Sequence, residues 1–320
     1  MSPPSDDPGA AASAATAGVG WSVRQIPDQR GRVVLVTGAN TGLGKEVSRR
    51  LAARGAHVVM ACRDLAKGRL ALPEVVAAGA NEGGGAELLE LDLASLTSVH
   101  AAAQALEGRP IDVLLNNAGV MAVPRSMSAD GHELHFATNV LGPFALTGTL
   151  LPQLRDRVVW VSSVLHRAGS LELDDPSYRH RRYFRWSAYA ASKLADLMLA
   201  YELQRRLSRA GAAVRSVAAH PGHSSTELSR HVPLASLPMA RGAMERMRLA
   251  QNAQQGAWPL LYAATEPDLP GGAYVGPTGP GELTGPPGLV ESTAASHDLA
   301  TQRTLWSLCE GLTGVRLRLG

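Results

Sequence analysis

A doubly wound α/β fold, with one parallel sheet covered by helices on both faces, is predicted by three features of the sequence. Strand-like runs alternate with helix-like repeats from residue 32 onward. The runs are apolar throughout rather than alternating, as strands buried on both faces must be. A glycine-rich turn falls between the first run and the first helix, where this architecture receives a ligand.

The first strand is "RVVLVTG" (32–38), a β-branched run. Its helix lies in "LGKEVSRRLAARG" (43–55), where Leu43, Val47 and Leu51 recur at four-residue spacing and Gly55 can cap the end. "HVVMAC" (57–62) leads to a helix near 64–79, "AELLELD" (86–92) to one at 95–108, and "IDVLLNNAG" (111–119) to one within 130–151. "RVVWVSS" (157–163) is the fifth strand; an irregular segment, a long helix (187–211) and a sixth strand, "AVRSVAAH" (213–220), follow. The chain therefore reads as a single-domain Rossmann-type doubly wound parallel sheet over about 30–290. No fixed-period repeat or internal linker divides it. Residues 221–250 and 270–288 read as irregular, the latter around a short strand candidate "GAYVG", and 291–320 as a C-terminal helical extension.

Composition narrows the function classes. The 45% apolar content supports a real core, and the net charge of +3 comes from bases interleaved with acids, against a nucleic-acid partner. Cys62 and Cys309 form neither a CxxC pair nor a disulfide framework, so a cytoplasmic location is expected. Residues 1–29 open on Ala, Gly, Pro and Ser with acids at Asp6 and Asp7 and no basic segment, and read as a disordered tail rather than a secretory signal. No apolar stretch is long enough to span a membrane. "HELH" (132–135) lacks the HExxH spacing and a third ligand, so its histidines read as surface or capping residues, with no metal expected.

Three motifs carry chemistry. In "TGANTGLG" (37–44), Gly38, Gly42 and Gly44 give φ freedom, close backbone approach and tight packing, while the helix start at Asn40, Thr41 and Leu43 offers free N–H groups to a pyrophosphate. Past strand two, where an acid would select NAD, stands Arg63, whose planar fork suits a 2′-phosphate and hence NADP(H); Asp64 beside it could neutralise it instead. Within "RRYFRWSAYAASK" (181–193), Tyr189 and Lys193 are four apart in the long helix and share one face. An ammonium beside a phenol favours the phenolate, which suits proton exchange with an alcohol or carbonyl oxygen. Tyr183, in the loop, has no such helper in the sequence.

These motifs, in this order, resemble the classical-type short-chain dehydrogenase/reductase (SDR) family over about residues 30–290. Supporting marks are Thr37 before GxxxGxG, "NNAG" (116–119), "SS" (162–163), "YAASK" (189–193) and "PG" (221–222). The resemblance implies that Asp92 and Leu93 flank an adenine and that Asn116, Ala118 and Gly119 line the nucleotide cleft. It also implies that Ser163, rather than Ser162, holds the substrate oxygen, that Asn139 anchors a water beside Lys193, and that Pro221, Gly222 and Thr226 hold the nicotinamide end. Lys45 would join Arg63 in preferring NADP. Ser163 and Tyr189 stand 26 apart, wider than in many members, a spacing similar to the retinol-dehydrogenase-like and protochlorophyllide-reductase-like branch. The 164–188 insertion would wall the substrate pocket, and 230–247 would form a lid over it. A homodimer is implied as well. The expected activity is NADP(H)-dependent interconversion of an alcohol and a carbonyl on a small apolar substrate. The alternatives are a nucleotide-sugar epimerase or dehydratase, disfavoured by the GxxxGxG spacing, and a non-catalytic NADP-binding sensor.

Overall fold

The computed structural model describes residues 20–223 and 252–317. One eight-stranded sheet runs through the described residues in the order β3-β2-β1-β4-β5-β6-β7-β8. The strands are β1 (Val33–Thr37), β2 (His57–Cys62), β3 (Gly85–Glu90), β4 (Ile111–Asn116), β5 (Leu154–Val161), β6 (Arg215–Ala219), β7 (Tyr274–Pro277) and β8 (Pro287–Leu289). All neighbours pair parallel except β8, which runs antiparallel to β7.

The unalternating sequence of these strands has the expected cause. Successive side chains leave opposite faces of a strand, and here both faces are buried. Leu35, Val59, Leu114 and Val158 join one apolar cluster, while Val34, Val36, Val58, Val113 and Val159 join the other. The first cluster is covered by α3 (Leu96–Ala105), α4 (Gly142–Leu150), α5 (Arg185–Arg209) and the helix Leu299–Thr313. The second is covered by α1 (Gly42–Ala52), α2 (Leu65–Gly79) and the helix Trp258–Thr265. Leu43, Val47 and Leu51 do form the buried face of α1. β1 and β4 are neighbours whose connections leave in opposite directions, so a crevice opens beyond their carboxyl ends.

Three parts of the chain differ from expectation. Residues 20–29 are packed rather than tail-like, because the Trp21 ring meets Trp258 and Tyr262 edge-on and Ile26 is buried. β8 was unforeseen, since a Pro-Gly edge strand carries no apolar pattern. The C-terminal helix is part of the core: Trp306 is buried and its ring lies 5.0 Å from that of Phe144.

Opposite the crevice, Asp156 of β5 gathers its chain neighbour Arg157, Arg32 from just before β1 and Arg215 from the start of β6. Burial opposes its charge, but Arg157 and then Arg215 outweigh that and hold its carboxyl below the ordinary range. A depressed carboxylate stabilises the fold above its unfolded pKa, about 4, and that contribution fades as pH falls through the lower folded value. Asp156→Asn is therefore expected to cost roughly 1–3 kcal/mol at pH 7. In denaturant titrations the gap from the parent chain should narrow below about pH 4; a gap independent of pH would contradict the assignment.

Candidate active site

The glycine turn forms the floor of a cleft of about 290 Å³ at the crevice. Gly38 and Gly42 have φ of 67° and 55°, a region where a Cβ is strained. Gly44 serves packing: a Cβ there would stand 2.4 Å from the Gly38 carbonyl oxygen. Thr41 caps α1 without a side-chain hydrogen bond, so the N–H groups of the first turn remain for a ligand. Thr37 closes the turn from below, its hydroxyl accepting from the N–H groups of Asn117 and Ala118 and so joining β1 to β4.

Of the residues expected on the cofactor, Gly38, Asn40, Thr41, Gly42, Leu43, Gly44, Arg63, Asp92, Leu93, Ala118 and Gly119 line this cleft. Asp92 is held by its own loop, its carboxylate accepting from Ala94 N–H. Asn116 is a correction. It is buried and donates to Thr147, while Asn117 faces the cleft and donates to the Thr37 carbonyl. Neighbouring residues at a strand end point to opposite sides, and the doubled asparagine hides which one faces the ligand. Lys45 is a second correction: it pairs with Glu74 at 2.5 Å, and Lys67 lines the cleft instead. Asp64 caps α2 and pairs with Lys67, so it does not neutralise Arg63, which is exposed at the cleft and enters no ion pair among the described residues. Pro221 and Gly222 follow β6 and turn toward the 280s, with Gly222 at φ 68° and the His223 N–H donating to Leu283. Thr226 and the expected lid at 230–247 lie outside the described residues.

At the far end of the cleft β5 and α5 meet. Tyr189 and Lys193 are both buried on α5, with the Lys193 Nζ 5.8 Å from the phenol ring centre. Lys193 Nζ donates to Val161 O at 2.9 Å and to Asp196 Oδ2 at 2.8 Å. Ser162 donates to the Lys193 carbonyl, which commits it to packing, whereas the Ser163 hydroxyl faces the Tyr189 phenol and also accepts from Leu165 N–H. Gly119 links the two ends of the site: a Cβ there would lie 3.1 Å from Asn139 Oδ1 and 3.7 Å from Lys193 Nζ.

One expectation changes here. Burial raises the pKa of Tyr189 more than Lys193 and Ser163 lower it, so the phenol sits above its ordinary value. Asn139 lies in a π-helical turn, Phe136–Leu141, where its carboxamide is held by Val120 and Ser192. Such turns widen a helix locally and are frequent at functional sites.

The structure also adds residues that the motifs did not reveal. His135 is fully buried, paired with buried Glu133 at 2.7 Å, and its ring lies 6.2 Å from that of Tyr189, so the surface reading of this histidine is corrected. Tyr183 does have partners: its hydroxyl donates to Val123 O and meets His135 Nδ1. The insertion is thereby fastened beside the site, helped by Arg181 stacked over Tyr178 and by Arg125 on the Tyr178 carbonyl. Only the fold brings 133–135 and 178–183 together, so no local spacing marks them.

A glycine-floored dinucleotide cleft that ends on a Tyr-Lys-Ser cluster defines an oxidoreductase of the Rossmann class. The sequence model of short chain dehydrogenase matches residues 32–235, and the chain belongs to that family, on its retinol-dehydrogenase-like branch. Mouse polyprenol dehydrogenase is 40% identical over 303 residues, 90% of this chain and 86% of that protein. Human retinol dehydrogenase 12 is 44% identical over 221 residues, 67% of each. A crystal structure of a putative uncharacterized protein from Mycobacterium Paratuberculosis superposes with a TM-score of 0.79 at 41% identity, covering 94% of this chain and all of that one. An NADP complex of Pseudomonas aeruginosa RhlG matches at a TM-score of 0.61 and 26% identity, over 77% of this chain and 94% of its own. The cleft fits a nicotinamide dinucleotide on its own geometry: unpaired helix N–H groups, a floor that no side chain could enter, and an exposed cation at its rim. No described helix is long and apolar enough to cross a membrane.

Gly44→Ala is expected to weaken NADPH binding at least about tenfold by forcing α1 off the turn, read by quenching of protein fluorescence. Gly311→Ala, at a position with open space around it, is the control and should bind as the parent does.

Proposed function

We propose that the chain interconverts an alcohol and a carbonyl with NADP(H), using Tyr189 as proton donor and acceptor, Lys193 as its charged neighbour and Ser163 as the holder of the substrate oxygen. The observation that carries this reading is the burial of Tyr189 one helical turn from Lys193, facing Ser163, at the end of the glycine cleft. The bound nicotinamide would supply or take up the hydride. The protein's part is to hold the substrate oxygen between the Ser163 hydroxyl and the Tyr189 phenol and to give or remove its proton. Asn139 braces the turn at Val120 and would anchor a water beside Lys193, while Gly119, having no side chain, leaves the cofactor end of the cleft open toward that lysine.

NADP in preference to NAD rests on Arg63, which stands exposed on the cleft rim in no ion pair among the described residues. An apolar isoprenoid alcohol or its aldehyde is the substrate class we favour, since the relatives named for their substrates act on polyprenol and retinol. The insertion, pinned through Tyr183 to the His135 that lies against Tyr189, would supply a wall of the substrate pocket. Pro221, Gly222 and Thr226 remain assigned to the nicotinamide end. A cytoplasmic homodimer completes the reading, with both cysteines free and buried, as a reducing compartment permits.

With geraniol, retinol and their aldehydes as a panel, Tyr189→Phe should lower kcat by about two to four orders of magnitude while NADPH still binds. Binding without turnover by the parent chain on every member would favour a sensor. Arg63→Ala should raise KM for NADPH by about ten- to a hundredfold and leave that for NADH nearly unchanged. Equal use of both cofactors by the parent would remove the arginine from the argument.

A further inference from the structure

Lys193 carries a buried partner that the motifs do not announce. Asp196 stands three residues on, on the same face of α5, with 3% of its surface exposed, and its carboxylate accepts from Lys193 Nζ at 2.8 Å. An ammonium has three protons to donate, and two are spent, on Asp196 and on the Val161 carbonyl. The remaining direction leads toward Gly119 and the Tyr189 ring. The pair is thus oriented along the helix, and the carboxylate offsets part of the ammonium's charge at the phenol.

We propose that Asp196 is a positioning residue that fixes the Lys193 ammonium and offsets its charge at Tyr189, so that the phenol keeps its proton at neutral pH and the site is poised for carbonyl reduction. This deepens the reading of Tyr189 as the proton-exchanging group and rests on it. Lys193 alone, buried one turn away, would pull the phenol toward phenolate and favour alcohol oxidation. Asp196 adds to the burial that keeps the phenol protonated. Burial pushes its own carboxyl up to about 6 despite the ammonium beside it. Burial also opposes the Lys193 charge, and Asp196 followed by Tyr189 outweighs it, leaving the ammonium firmly protonated.

Other ionisable groups approach this face from its neighbours. His135 and Glu133 come from the segment before the π-turn, His166 from the turn after β5, where its Nδ1 meets the Ser163 carbonyl, and Tyr274 from β7 beside His166. The C-terminal helix reaches only the far end of α5, at Arg205 and Arg206. None of these pairs with Lys193, so a change at Asp196 isolates the carboxylate.

The test is the pH profile of kcat/KM for geraniol oxidation with NADP, in the full chain. Asp196→Asn keeps an oxygen for the lysine but removes the charge, and should move the alkaline rise down by about one pH unit. Asp196→Glu, which restores the charge, should return the profile toward that of the parent, a recovery that a packing role alone would not produce. A folded Asn variant with an unmoved profile overturns the proposal. If that variant does not fold, Asp196→Ser takes its place, and ultraviolet titration with and without Tyr189→Phe isolates the one phenol in it and in the parent. Ionisation at lower pH in the Ser variant than in the parent supports the proposal, and ionisation at the same pH overturns it. Tyr189→Phe retaining full turnover would sink the underlying reading, whereas its loss alongside an unmoved Asn profile would sink only the role of Asp196.

Discussion

Burial of the Lys193 ammonium beneath the end of β5 is the interaction on which the rest of the site depends. A buried charge is tolerated only when it is paired and its donors are met. Here the Val161 carbonyl and the Asp196 carboxylate meet them, and the Ser162 hydroxyl ties the lysine's own carbonyl to the same strand. These bonds lock α5 to the carboxyl end of β5. They therefore fix where Tyr189 stands relative to Ser163, one residue past Ser162.

The same edge of the sheet supplies the other half of the site. Parallel strands point all their carboxyl ends one way, so the glycine turn after β1, the Asn117-Ala118-Gly119 turn after β4 and the serines after β5 converge without any sequence proximity. Thr37 secures the first two turns to each other, and Asn139 secures the second to α5 through Ser192. Glycine at 44 and 119 lets backbone occupy the positions where side chains would otherwise stand. Cleft and Tyr189–Lys193–Ser163 cluster are thus one hydrogen-bonded unit.

Around this unit the protein varies the common plan in its insertion. Residues 164–188 could have been a loose surface loop of bases and aromatics. Instead Tyr183 is anchored to Val123 and His135, Arg181 covers Tyr178, and the Arg179 guanidinium donates to Gly131. Arg179 and Arg181 thus hold the segment down beside the site and the Tyr178 and Tyr183 rings pack together, while Arg182, Phe184 and Arg185 stay exposed.

The sequence by itself determined the order of the first six strands and the helices between them, because burial on both faces writes an unbroken apolar run into such strands. It also determined the glycine turn and the Tyr189–Lys193 pair, since each depends on residues a few positions apart. Tertiary structure alone decided matters that hang on distant contacts or on which way a side chain points. It turned Asn117 rather than Asn116 to the cleft, gave Lys45 to Glu74, buried His135 against Tyr189 and drew residues 20–29 onto Trp258 and Tyr262. It also brought Asp196 to Lys193 in a dry interior. The spacing permits that pair anywhere on a helix, but only burial makes the charge of one count at the phenol of the other.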